Sequence, residues 1–164
     1  MIDLSGQYFI DGADIWTAFG VFVESGSDDF LKYPPKKDGI THDWLDSNGI
    51  DEDVSQIFLG PRDISLKCAI LCDSEETFWT NYRSFITFLT QPGLRRVQVA
   101  QFVGSSYQLV YKETTAWQRF TRIKDADELH QIACKFTITF RENSPVPNSS
   151  DEFIVDEEGR FLIT

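Results

Sequence analysis

Apolar positions recur along this chain at two different periods. Between Asp73 and Gly93 the repeat is helical: Phe78, Tyr82, Phe85 and Leu89 fall at spacings of four, three and four, and Trp79 and Ile86 widen the same stripe. Asn81, Arg83, Ser84 and Thr87 fill the opposite side. Asp73 or Ser74 supplies the N-cap, Glu75 and Glu76 suit the positive end of the helix dipole, and Pro92-Gly93 stops the run. The pattern predicts one amphipathic helix over about 73–91, its aromatic face packed on a sheet.

Elsewhere the period is two. Leu129 to Phe140 is the clearest case: Ile132, Cys134, Phe136, Ile138 and Phe140 make one face, and Gln131, Ala133, Lys135, Thr137, Thr139 and Arg141 the other. Ile64, Leu66, Cys68 and Ile70 alternate in the same way through a strand at 64–71, with Gln56 to Leu59 as a shorter strand before it. Further strands are expected at Gln7–Ile10, Phe19–Glu24, Leu94–Val103, Tyr107–Lys112 and Thr114–Ile123. The first two could pair through a turn at Asp11–Asp14. Turns are also expected at Gly104–Ser106 and Lys124–Asp127. The expected class is mainly β: an antiparallel β-sandwich or open barrel carrying one helix.

Two stretches keep neither period. Residues 30–54 hold Pro34-Pro35, Asp38-Gly39, Asn48-Gly49 and many acids, yet also Tyr33, Trp44 and Leu45, which a purely solvated loop does not need. Two readings fit: an arm ordered by a neighbouring subunit, or a loop whose Trp44 folds back on its own domain. After Pro145 and Pro147, Phe153-Ile154 and Phe161-Leu162 flank an acidic turn and suggest a terminal hairpin. An isolated hairpin is marginal in water, so this one should dock. The expected division is a β-domain over 1–142 and a linker plus hairpin arm over 143–164.

Charge and chemistry narrow the function by exclusion. A formal net charge of −11 and a pI of about 4.5 argue against gripping nucleic acid, since phosphate binding needs a basic surface. No run is apolar and long enough to span a membrane, and no secretory leader opens the chain. Three cysteines, Cys68, Cys72 and Cys134, fit reduced thiols, with no following Cys/His pair for zinc. The acidic run 46–53 breaks calcium-loop spacing at Ile50. His42 and His130 sit in no hydrolase or zinc-protease motif, and no Gly-rich nucleotide loop precedes the helix. No catalytic group, cofactor or metal is therefore assigned.

The layout, together with Phe9-Ile10-Asp11-Gly12, Phe19-Gly20-Val21-Phe22-Val23, Asp63-Ile64-Ser65-Leu66 and Gln91-Pro92-Gly93, resembles the tail-tube-like N-terminal domain of siphophage distal tail proteins. The resemblance spans residues 5–141. It implies a helix outside a sandwich or open barrel, and a hexameric ring around a channel that DNA crosses without specific binding. It implies a structural protein of a phage or prophage tail, placed in the virion tail and assembled in the bacterial cytoplasm. Its partners are copies of itself and other tail or baseplate proteins. Tyr33, Trp44, Leu45, Phe153, Ile154, Phe161 and Leu162 are the candidate subunit contacts. From a different class, a carbohydrate-binding or adhesion module would use exposed aromatics such as Trp44 and Trp117 as a sugar platform.

Overall fold

The computed structural model describes residues 3–102, 104–123 and 131–145. Its centre is an antiparallel sheet of seven strands, open at both margins. In chain order these are β1 (Tyr8–Ile10), β2 (Ala13–Asp14), β3 (Val21–Ser25), β6 (Arg62–Cys72), β7 (Arg95–Val99), β8 (Tyr107–Arg119) and β9 (Ile132–Glu142), and across the sheet they run β2-β1-β7-β8-β9-β6-β3. Two-residue strands β4 (Thr41–His42) and β5 (Asp51–Glu52) form a separate ladder. The architecture agrees with a β-sandwich and is not a closed barrel.

β6 and β9 form the spine, in register from Arg62↔Glu142 to Cys72↔Ile132 without a break. Strict alternation lets both strands bury one whole face: Ile64, Leu66, Cys68 and Ile70 from β6, and Ile132, Cys134, Phe136, Ile138 and Phe140 from β9. Helix α2 (Glu75–Leu89) covers that face. Ser74 caps it, its hydroxyl accepting from Thr77 N. Phe85 meets Phe136 at 6.4 Å, and Tyr82 meets Trp117 at 5.0 Å. The helix also carries the chain from β6 to β7, which lies beyond β9 and β8 in the sheet.

Several elements depart from the periodicity. Trp79 is on the outer flank of α2, with Arg83 5.4 Å above its ring, while Phe88 packs inward against Phe19 at 5.5 Å. At about 100° per residue, Trp79 falls a quarter turn from Phe78, so the stripe centred on Phe78 and Phe85 leaves it at the rim. The expected strands 107–112 and 114–123 are one strand, β8, which ends at Arg119 and not at Ile123 and is broken in phase by bulges at Tyr111/Glu113 and Thr115/Gln118. Each bulge resets which face a side chain meets, which erases the alternation. Ala116, in the second bulge, has φ 53°. β7 ends at Val99; Val103 lies outside the described residues.

The first two expected strands do not pair with each other. Asp11 and Gly12, at φ 51° and 83°, make a two-residue turn that pairs β1 with the short β2. Asp14 then caps a five-residue helix, α1 (Ile15–Phe19), accepting from Trp16 N at 3.1 Å. Gly20, left-handed at φ 65°, ends α1, so the strand expected from Phe19 begins at Val21 and joins β6 at the far margin. Gly26, at φ 109°, lets β3 turn tightly over β6: a Cβ there would lie 2.2 Å from Ser65 O. Residues 56–59, expected as a strand, make only an isolated bridge between Leu59 and Lys36. The turn at 124–127, His130 and the terminal hairpin lie outside the described residues.

Candidate assembly surface

Between Phe30 and Arg62 the chain leaves the sheet and returns as a narrow two-sided arm, residues 31–60. Its sides are tied by Gly60 N to Pro35 O at 2.7 Å, Lys37 N to Phe58 O at 2.8 Å and Asp53 N to Ile40 O at 3.2 Å. The β4–β5 ladder and a Lys36–Glu52 ion pair continue the tie outward. At the tip, His42 and Trp44 stack at 5.6 Å. The long loop expected over 30–54 is thus a hairpin arm. Cross-links between its two sides give a shape to a stretch with no strand periodicity.

What the arm does not satisfy is its apolar surface. Tyr33 is 72% exposed, Trp44 is 54% exposed and Leu45 is fully exposed. Leu31, Ile40, Ile50, Val54, Ile57 and Phe58 are exposed as well. Single exposed apolar residues are ordinary, but nine on one projecting element are not. From Asp38 to Asp53 the arm also carries Asp38, Asp43, Asp46, Asp51, Glu52 and Asp53 with no Lys or Arg. Of the expected contact residues, Tyr33, Trp44 and Leu45 therefore share this arm, and Trp44 does not fold back on the sheet. Phe153, Ile154, Phe161 and Leu162 lie outside the described residues. Of the six further exposed residues, Leu31, Ile40, Ile50 and Val54 carry no periodic signal. Ile57 and Phe58 were hidden by a run that reads as a strand.

The sheet margins are a second unfinished feature. β3 is flanked on one side only, and β8 from Glu113 to Arg119 pairs only with β9 among the described residues. Such edges present unpaired backbone donors and acceptors.

The outward face of the spine is charged: Lys112 and Arg141 share the single carboxylate of Asp63, and Lys67 on the same face is exposed. Asp63 accepts from Arg141 Nε at 2.8 Å and Lys112 Nζ at 2.7 Å, which together hold its carboxyl down at about 2. Lys135 pairs with Glu24 at 2.6 Å. The thiols lie on the buried side: burial raises Cys68 to about 12 and Cys72 to about 11, so neither has thiolate character. Among the described residues no group of His, Cys, Asp and Glu is arranged to hold a metal ion. Trp117 has one ring face against Phe136, 5.0 Å away and 25° from parallel, and Trp44 is stacked on His42. Each ring keeps an exposed part, Trp44 at 54% and Trp117 at 41%.

No family model and no curated protein matches the chain. Among solved structures it is similar to the crystal structure of the SPP1 Dit protein (gp 19.1), described as a paradigm of the hub adsorption apparatus in phages that infect Gram-positive bacteria. The TM-score is 0.61 at 13% identity. The match covers 85% of this chain and 50% of that one, so the likeness concerns the fold and spans half the length of the other protein.

Proposed function

We propose that this protein is a structural component of a phage or prophage tail, a distal-tail or baseplate-hub scaffold, and that it works by assembly and not by turnover. The observation that carries the reading is the arm 31–60, a self-tied hairpin whose apolar side chains find no cover on its own sheet. The fold shared with SPP1 Dit supports the setting. In this reading the arm of each copy lies on the next, a head-to-tail contact that closes into a ring, with six copies as the expected number. The open margin at β3 and the one-sided stretch of β8 from Glu113 to Arg119 are completed by sister chains or by other tail proteins. Residues 1–142 form the ring unit and 143–164 a linker and second contact arm, through Phe153, Ile154, Phe161 and Leu162.

DNA crosses the lumen without being held. The net charge of −11 supports this, because phosphate retention needs a basic surface. The ring acts in the virion tail after assembly in the bacterial cytoplasm.

Light scattering on the eluting full chain, with negative-stain imaging, tests the proposal. A closed ring is expected from the parent chain. Trp44→Ser with Leu45→Asp should elute as a monomer with unchanged far-UV circular dichroism. A parent chain that stays monomeric at every concentration and alongside its neighbouring tail proteins would overturn the reading.

A further inference from the structure

Arg62 opens β6 where the arm returns to the sheet, and its side chain reaches across to where the arm left. Its Nε lies 2.5 Å from Glu142 Oε2, and Glu142 is its partner in the β6–β9 register. Its Nη1 donates to Phe30 O at 3.1 Å and to Lys32 O. The guanidinium carbon lies 5.9 Å from the Tyr107 ring centroid, and Tyr107 packs on buried Phe30 at 4.5 Å. The two charged side chains are 13% and 8% exposed. Among the described residues no hydrogen bond beyond Lys32 joins the arm to the sheet; those further out connect its two sides. Arg62 thus holds two carbonyls of one leg of the arm's root, Phe30 and Lys32, against the end of β9, while Gly60 and Pro61 carry the other leg into β6.

We infer that Arg62 is a positioning residue: it aims the arm. A buried ion pair is poor evidence of a gain in stability, because desolvation offsets the attraction. Its value here is geometric. A planar guanidinium, with five N–H donors in a fixed fork, can face a carboxylate with one nitrogen and two backbone carbonyls with another. A lysine could keep the charge opposite Glu142 but would be a single point without the fork. Glu142 lies just before Asn143, Ser144 and Pro145, which line a shallow cleft together with Lys37, Ile57, Phe58 and Leu59 of the arm. The biological meaning of this inference rests on the arm being an assembly surface; its test does not.

The test measures aim directly in the full chain. Nitroxides on Ser47→Cys in the arm and Gln118→Cys on β8 report one intramolecular distance, with spin-labelled chain diluted into unlabelled chain; the native thiols are buried. The parent should give a single narrow distance peak. Arg62→Lys should broaden it while the sheet keeps its near-UV signal. Arg62→Met with Glu142→Leu removes both charges together. That double variant should denature near the parent's midpoint yet give the broad distribution, separating aiming from stability. A peak as narrow as the parent's in either folded variant would overturn the inference. Broadening supports it whatever the oligomeric state, so failure of the ring reading would be seen separately in the light scattering.

Discussion

Asp63 shows how a single side chain is tuned by what the fold brings beside it. Arg141 faces it in the β6–β9 register, and Lys112 arrives from β8. Their hydrogen bonds lower its pKa from 3.8 to about 2. Because the folded value is the lower one, Asp63 contributes stability that is fully present above pH 3.8 and is lost as pH falls towards 2. The contribution is small, since Asp63, Lys112 and Arg141 all keep contact with solvent. Thermal melts should show the parent losing more stability than Asp63→Asn across that window, and a carboxyl titration by NMR should place Asp63 below the other aspartates. The alternation of β9 already put Arg141 on a polar face, whereas Asp63 lies one residue before the strand expected at 64–71. Their adjacency needed the register, and the approach of Lys112 needed the fold of β8.

At the scale of elements, α2 and β8 show what periodicity can carry. The helix was legible in type and extent because four apolar residues share one side of a helical wheel and Ser74 and Pro92 bound it. Phe85, wedged between Phe19 and Phe136, should be its main anchor. Phe85→Ala is expected to cost about 3–5 kcal/mol in urea denaturation. Trp79→Ala, at the rim, should cost less than about 1 kcal/mol. Equal losses would mean that the helix is not seated by that face. β8 was read as two strands because its bulges shift the phase. α1 was not anticipated because five residues are too few to show a helical repeat. It is made by Asp14 and Gly20 at its ends and by the packing of Phe19 beneath α2.

For the whole molecule, hydrogen bonds among the described residues join the outer part of the arm only to itself, and those to the sheet lie at its root. Replacing residues 38–53 by a short Gly-Ser turn should leave the melting temperature of the sheet within a few degrees, as loop-length changes alter folding free energy only weakly. The same change should abolish self-association. A large drop in melting temperature would mean that the arm's apolar residues cover their own sheet. Tyr33, Trp44 and Leu45 could be picked out because large apolar side chains in an acidic, Pro/Gly-punctuated stretch have no local use. Ile57 and Phe58 could not, since an apolar run looks the same whether it is buried in a strand or exposed on a projection. By itself the sequence determined the class of the protein, its helix and the faces of its two spine strands, because those follow from the repeat of apolar residues within one segment. Only the tertiary structure decided that β1 and β3 lie at opposite sides of the sheet, that 31–60 is a self-tied arm, and that Arg62 meets Glu142. Each of these depends on which distant segments meet, and pairing across the chain is set by register, turns and caps acting together, not by any local pattern.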